Sequence, residues 1–327
     1  MRLLFFTAAL ASLTPCAATP ADEAAPSLAG DTFLFSYFVG NGEDGLHLAA
    51  SRDGLEWRAL NDGASYLRPT LGDKLMRDPC ITRGPDGTFH LVWTTGWFDK
   101  GVGIAHSKNL VNWSEQAWLP VMEHEPESQN ACAPEITHDP ASGRFMIYWS
   151  STIPGRFAET ELPGGDRFRG GKACNHRIYC TFTSDFKTYT PTTLLYDPGF
   201  NCIDASIAPA NGRWIMMIKD ETKVPVARKN IRVAWADRLE GPWGPASDAI
   251  TPGWVEGPTL FRAHDDWILL YDAYTRHRYE GLRSRDLATW EPITTGLNFP
   301  KGIRHGTVFK FSADALQTLE APVQPKP

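Results

Sequence analysis

Five short strands of this 327-residue chain begin on a polar residue able to do chemistry. They read RDPCI at Asp78, APEIT at Glu135, IDASI at Asp204, VEGPTL at Glu256 and RHGTVF at His305. Carboxylates crowded into one depression repel one another when ionised, so at least one must keep its proton to unusually high pH. Environment then divides the labour. One carboxylic acid protonates a leaving oxygen while one carboxylate activates water, the division that glycosidic hydrolysis uses. The structural alternative is that each residue caps backbone amides or binds an axial ion. Equivalent placement of all five argues against that alternative for the set.

The elements that must position these residues are legible as repeats. A turn phrase occurs five times: SRDGLEW ending at Trp57, SKNLVNW at Trp113, TSDFKTY at Tyr189, ADRLEGPW at Trp243 and SRDLATW at Trp290. Asp or Asn favours the bend and an aromatic packs beneath it. The aromatics are spaced by 56, 76, 54 and 47 residues, the size of a four-stranded antiparallel sheet. Five such sheets make an all-β, five-bladed β-propeller. Runs such as TFHLVWTT, RFMIYWSS, RWIMMIKD and DWILLYDAY are β-branched and aromatic, bounded by turn residues and too short for globular helices. No convincing amphipathic helix is read after the leader.

The two phrases alternate out of phase, which makes the polar-opened strands the innermost ones. The first turn phrase has no inner strand before it, and the strand at His305 has no turn phrase after it. The N-terminal strands, within residues 31–66, are therefore expected to join the C-terminal inner strand, 305–311, in one blade, which leaves no open edge. In an up-and-down blade the start of strand 1 and the loop between strands 2 and 3 share a face. That face gathers the five polar residues with Trp97, Arg156, Asp220, Glu221, Arg276 and Arg278, and is expected to be an acidic, aromatic-walled depression. A long Gly- and Pro-rich insertion, about residues 152–175, belongs to the same face, where long loops are more often functional than accidental.

Composition narrows the function classes. With 42% hydrophobic and 12% aromatic residues the chain has material for a large core. Its net charge of -6, with no long run of Lys or Arg, excludes a phosphate-binding stripe and so a nucleic-acid partner. Residues 1–24 read as a signal peptide and linker, with Arg2, an apolar stretch and small residues at Ala17 and Ala18. Pro15 before Cys16 disfavours lipidation. The expectation is export to the periplasm or beyond, with no membrane contact after the leader and a single monomeric catalytic domain over 25–327. Of the five remaining cysteines, only Cys174 and Cys180 sit close enough in sequence for a short disulfide loop.

In their order, RDPCI, DGTFHLVW, GIAHSKNLVNW, APEI, IDASI, VEGPTL and RHGTVF resemble glycoside hydrolase family 43 over essentially all of the chain after the leader. The resemblance implies a five-bladed propeller that hydrolyses glycosidic bonds with inversion. It implies Asp78 as general base, Asp204 as the carboxylate that tunes the acid and orients the sugar, and Glu256 as general acid, with no cofactor required. His305 is similar to the histidine that in many members sits near the axis and holds a calcium ion through water. Arg276 or Arg278, the latter favoured, lies where the family often places an arginine against the sugar. Cys132 stands where the family commonly has a tryptophan. A stacking contact must then come from elsewhere, Trp97 or Trp254, although both could equally pack between blades. Glu135 completes the expected substrate-binding set.

The reading this supports is an exo-acting glycosidase that removes a terminal furanose-like sugar, α-L-arabinofuranose first, from a plant-type oligo- or polysaccharide such as arabinan or arabinogalactan. The 152–175 insertion would wall the pocket. The alternatives are β-D-galactofuranose, β-D-galactose or β-D-xylose as the sugar, or a carbohydrate-binding propeller without turnover. Lectin propellers usually repeat one site per blade, whereas here the strand openings differ.

Overall fold

The computed structural model describes residues 31–168 and 171–320. The leader reading and Cys16 lie outside the described residues. Five antiparallel sheets are present. Numbered by inner strand, blade 1 runs Arg77–Arg83, Phe89–Thr94, Val102–Ser107, Ala117–Leu119. Blade 2 runs Cys132–Asp139, Arg144–Ser151, Arg177–Thr183, Thr193–Tyr196, and blade 3 runs Cys202–Ala210, Arg213–Asp220, Asn230–Ala236. Blade 4 runs Glu256–Ala263, Asp266–Ala273, Arg278–Ser284, Glu291–Pro292. In blade 5 the inner strand Ile303–Ser312 pairs with Asp31–Val39, followed by His47–Ser51 and Arg58–Ala59. Inner strands of successive blades touch, and that of blade 5 touches that of blade 1. This is a five-bladed β-propeller.

The second strand of each blade explains the packing. FHLVWT, RFMIYWSS, RWIMMIKD and DWILLYDA are near-continuous apolar runs because each packs against a neighbouring blade on both faces. The core is accordingly five apolar clusters, one per blade interface. The repeated turn phrase closes strand 3 to strand 4. Ser51, Ser107, Thr183 and Ser284 each accept an amide three residues on through the side-chain oxygen, and the Asp or Asn two residues later accepts two more. The indole N–H of Trp57 and Trp113 then donates to the carbonyl of Gly54 and Leu110.

Three expectations are corrected. Blade 3 has three strands, because Pro242, Pro245 and Pro252 break the segment that would be its fourth. Single backbone hydrogen bonds from Gly244, Ser247 and Ile250 to the third strand hold that segment instead. A short helix, Ala313–Glu320, follows the last strand and buries Leu316 and Leu319, one turn apart, in the cluster between blades 5 and 1. Cys174 and Cys180 are both free thiols. Cys180 is fixed in the middle of a strand beside Thr193, whereas Cys174 faces the cavity described next.

Candidate active site

Every inner strand enters the propeller through a bulge at the same depth. Pairing with the second strand shifts between Arg77 and Cys80, Cys132 and Glu135, Ile203 and Ser206, and Glu256 and Thr259. In blade 5 the shift falls between Arg304 and Thr307. The residue after the first in four of these bulges is left-handed, with φ of 52° at Asp78, 47° at Ala133, 54° at Asp204 and 56° at Gly257. Aspartate tolerates that region better than most residues. Glycine is needed at 257 for a second reason, since a Cβ there would meet the His305 ring at 2.5 Å.

The bulges sort the polar residues into tiers. Arg77, Cys132, Ile203, Glu256 and Arg304 form the mouth tier, and Asp78, Ala133, Asp204, Gly257 and His305 the floor. Cys80, Glu135, Ser206, Thr259 and Thr307 lie below the floor, inside the axial channel. Exposure falls accordingly, from 21% and 33% for the Glu256 and Arg304 side chains to 10% and 8% for Asp78 and His305. A cavity of about 580 Å³ is lined by the whole mouth tier and by all of the floor except Gly257. Its walls are Trp97 and Phe98 from blade 1, Lys219 and Glu221 from blade 3, and Asp166, Arg167, Phe168 and Cys174 from the insertion. The Phe168 ring packs on Phe98 at 5.8 Å and on His176 at 5.6 Å, which binds the insertion to the rim.

Of the residues expected from sequence, Asp78, Asp204, Glu221, Glu256, His305 and Trp97 converge on this cavity. The others do not. Glu135 sits two residues deeper than Asp78, accepts from Tyr148 at 2.8 Å and Thr307 at 3.4 Å, and is buried beneath the site. Arg276 makes a bidentate pair with Glu280 and a bond to the Gly253 carbonyl, and Arg278 also pairs with Glu280. Both guanidiniums are committed away from the cavity. Trp254 is exposed beside Tyr274, outside the lining. The depression is also not simply acidic, because Arg77, Arg167, Lys219, Arg304 and His305 interleave with its carboxylates.

Lys219, Arg77 and Arg304 are the functional side chains the sequence reading passed over. Lys219 ends an apolar strand, but residues 219 and 221 share one face at a period of two, and that face is the cavity. Asp220, on the other face, pairs with Arg232 at 3.0 Å. Arg77 immediately precedes Asp78, and Arg304 precedes His305.

The charges are ordered by contact. Asp78 accepts from Thr94 Oγ1 at 2.8 Å and faces His305 Nδ1 at 3.2 Å. Burial would raise the Asp78 carboxyl, but the imidazolium and these hydrogen bonds hold it well below the usual carboxylate range. Burial would lower His305, but Asp204, Asp78 and Glu256 lift it to about 9, so it is a cation at neutral pH. Asp204 accepts the Gly257 amide at 3.1 Å, and burial raises its carboxyl to about 6 against the pull of His305 and Lys219. Glu256 lies between Lys219 Nζ at 3.2 Å and Arg304 Nη2 at 2.9 Å. Those two cations overcome its burial and lower its proton affinity. Burial pushes Glu135 to about 7.

His305 turns Nδ1 toward Asp78 at 3.2 Å, and among the described residues no group of three or more His, Cys, Asp and Glu is arranged to ligate a metal directly.

A carboxylate kept ionised on the floor and two more carboxyls, one at the mouth, on different blades around one half-open cavity of a β-propeller, are the groups that glycoside hydrolysis uses. The family model for a probable glycosyl hydrolase domain, related to glycoside hydrolase family 43, matches residues 30–316, and the chain belongs to that family. No curated protein matches the sequence. Among solved structures, a thermostable family-43 glycoside hydrolase is similar at 16% identity and TM-score 0.53, covering 73% of this chain and 80% of that one. An α-L-arabinofuranosidase from Lactobacillus brevis is similar at 19% identity and TM-score 0.51, covering 66% and 72%. A family-43 protein from Bacillus licheniformis is similar at 20% identity and TM-score 0.50, covering 69% of this chain, which spans only 42% of that protein. At these identities the likeness speaks for the fold.

Proposed function

We propose that the protein is an exported, inverting exo-glycosidase that removes a terminal furanose-like sugar, α-L-arabinofuranose first, from a plant-type oligo- or polysaccharide. The observation that carries this reading is the one-residue offset of Glu256 from Asp78 and Asp204 in the bulge register. In a pocket closed at its floor, the sugar enters first and its leaving group points to the mouth. A base therefore belongs on the floor and an acid at the mouth. Asp78, kept ionised by Thr94 and His305, is suited to take a proton from the water that attacks the anomeric carbon. Glu256, one step outward, is placed to protonate the departing oxygen. Asp204 is its partner on the floor, and the pair shares one proton. The lowered proton affinity of Glu256 and the raised one of Asp204 put that proton on Asp204 in the free enzyme below about pH 6. On delivery it passes to Glu256 and from Glu256 to the departing oxygen, while Asp78 takes a proton from the attacking water.

The wall contributed by Asp166, Arg167 and Phe168 supports an exo pocket rather than an open groove. The test is release of free sugar from aryl α-L-arabinofuranoside, β-D-galactofuranoside, β-D-galactoside and β-D-xyloside, with Glu256→Gln alongside. Turnover of one member, lost in the variant and giving product of inverted configuration, is the expected result. Retained configuration would overturn the mechanism, and silence across the panel with saturable binding of arabinan oligosaccharides would favour a binding propeller.

A further inference from the structure

The buried cations around Glu256 continue outward in an unbroken line of alternating charge. Asp166, on the insertion, pairs with Lys229; Lys229 pairs with Glu221; Glu221 Oε2 lies 2.7 Å from Lys219 Nζ; and Lys219 lies 3.2 Å from Glu256. Lys219 and Lys229 are 2% and 5% exposed, so water does little to screen the line. Lys219 therefore has two carboxylate partners on one ammonium, and the nearer is the one tied to the insertion.

We propose that Lys219 is a positioning residue for the proton donor, through which the insertion, by way of Asp166 and Lys229, sets how firmly Glu256 is held as an anion. This rests on the glycosidase reading above. Loss of the Lys229 cation leaves Glu221 underpaired, draws Lys219 toward it and frees Glu256 to hold its proton. Charge removed at Glu221 does the reverse. The loop that walls the pocket is thus wired to the acid that works in it. The other groups facing Glu256 are Asp204 from blade 3, Asp272, Tyr274 and Tyr279 from blade 4, and Arg304 and His305 from blade 5. None of them touches Lys229 or Asp166 in an ion pair.

The experiment is the alkaline limb of kcat/KM on an aryl glycoside with a poor leaving group, which needs the acid. Lys219→Met is expected to move that limb up by about one pH unit and Glu221→Gln to move it down by a similar amount. Lys229→Met, outside the cavity, is expected to move it up by a smaller step in the otherwise native protein and not at all when Lys219 is already Met. Shifts of one sign from Lys219→Met and Glu221→Gln, or a Lys229→Met shift that persists in the double variant, would overturn the relay. Glutamate labelled with ¹³C at the side-chain carboxyl reads the same midpoints without turnover, the Glu256 signal being the one lost in Glu256→Gln. Midpoints that move as described in a protein silent on every glycoside would sink the glycosidase reading alone. Fixed midpoints in an active enzyme would sink the relay alone.

Discussion

Replacing His305 by Gln tests the placement of the base. The imidazolium lies 3.2 Å from Asp78 Oδ1, and both side chains are nearly sealed from solvent. At that distance an opposite charge is worth about 5 kcal/mol for an effective dielectric constant of about 20. That equals close to ~4 pKa units before the cost of burial is set against it. In the wild type the charge wins, and Asp78 is ionised through the whole accessible range. Without the charge, burial is opposed only by Thr94, Arg77 and the neutral amide, so Asp78 should rise by at least ~2 units, to about pH 4–6. A base works when ionised, so activity must be lost as pH falls through that window, where the wild type still turns over. The assay is kcat/KM between pH 3.5 and 8, chosen as roughly the span over which proteins of this kind keep their fold. An aryl glycoside with an excellent leaving group removes the acid from the measurement. A second readout comes from stability. A histidine raised to about 9 stabilises the fold fully below its unfolded value near ~6.5 and loses that contribution as pH rises through about 9. The difference in melting temperature between wild type and variant should therefore shrink from pH 6 toward pH 10. A His305→Gln profile that is only a scaled copy of the wild-type curve would refute the claim that His305 keeps Asp78 ionised.

Glu256→Gln should cost about a hundredfold or more on substrates with poor leaving groups and far less on activated aryl glycosides, and equal losses on both would remove Glu256 from the acid role. Glu135 is a buried carboxyl with a folded value of about 7, so its protonated form favours folding at low pH and that benefit is lost as pH rises through 7. Glu135→Gln should therefore stabilise the protein at pH 8 by something on the order of 3 kcal/mol or less while changing little at pH 4, measured by urea unfolding. Arg304→Met leaves Asp272 and Glu256 facing each other without their shared cation, and unfolding should become easier by about 3 kcal/mol, partly restored by Arg304→Lys. Arg276→Gln breaks the part-buried pairing with Glu280 and the bond to the Gly253 carbonyl, both outside the cavity, so kcat/KM should stay within about twofold of wild type; a larger loss would return that arginine to the sugar site.

The blades were legible because packing forces them into the sequence. A strand squeezed between two neighbouring blades has to be apolar on both faces, and RFMIYWSS cannot be read as anything that meets water. The turn phrase was legible because its Ser, Asp and Trp make bonds only three residues apart, so one bend needs one local pattern. What failed was depth. The five polar residues look interchangeable when strands are aligned on their first charge, but side-chain depth in an inner strand is counted from the bulge, not from the charge. The bulge is set by a left-handed residue, which the sequence signals at Gly257, tolerates at Asp78 and Asp204 and gives no hint of at Ala133. Aligning the bulges instead moves Glu256 one step toward the mouth and drops Glu135 two steps into the channel. Those three residues of difference separate a candidate acid from a buried structural carboxyl. Lys219 was hidden for the complementary reason. A cation at the end of an apolar run ordinarily reaches water, and only the pairing with Glu221 two residues on and with Glu256 from the next blade makes its burial tolerable. Local pattern fixes which residues belong to a blade, whereas the contacts that decide protonation are made between blades. The Asp78, His305 and Asp204 constellation draws on blades 1, 5 and 3, and no stretch of sequence contains it.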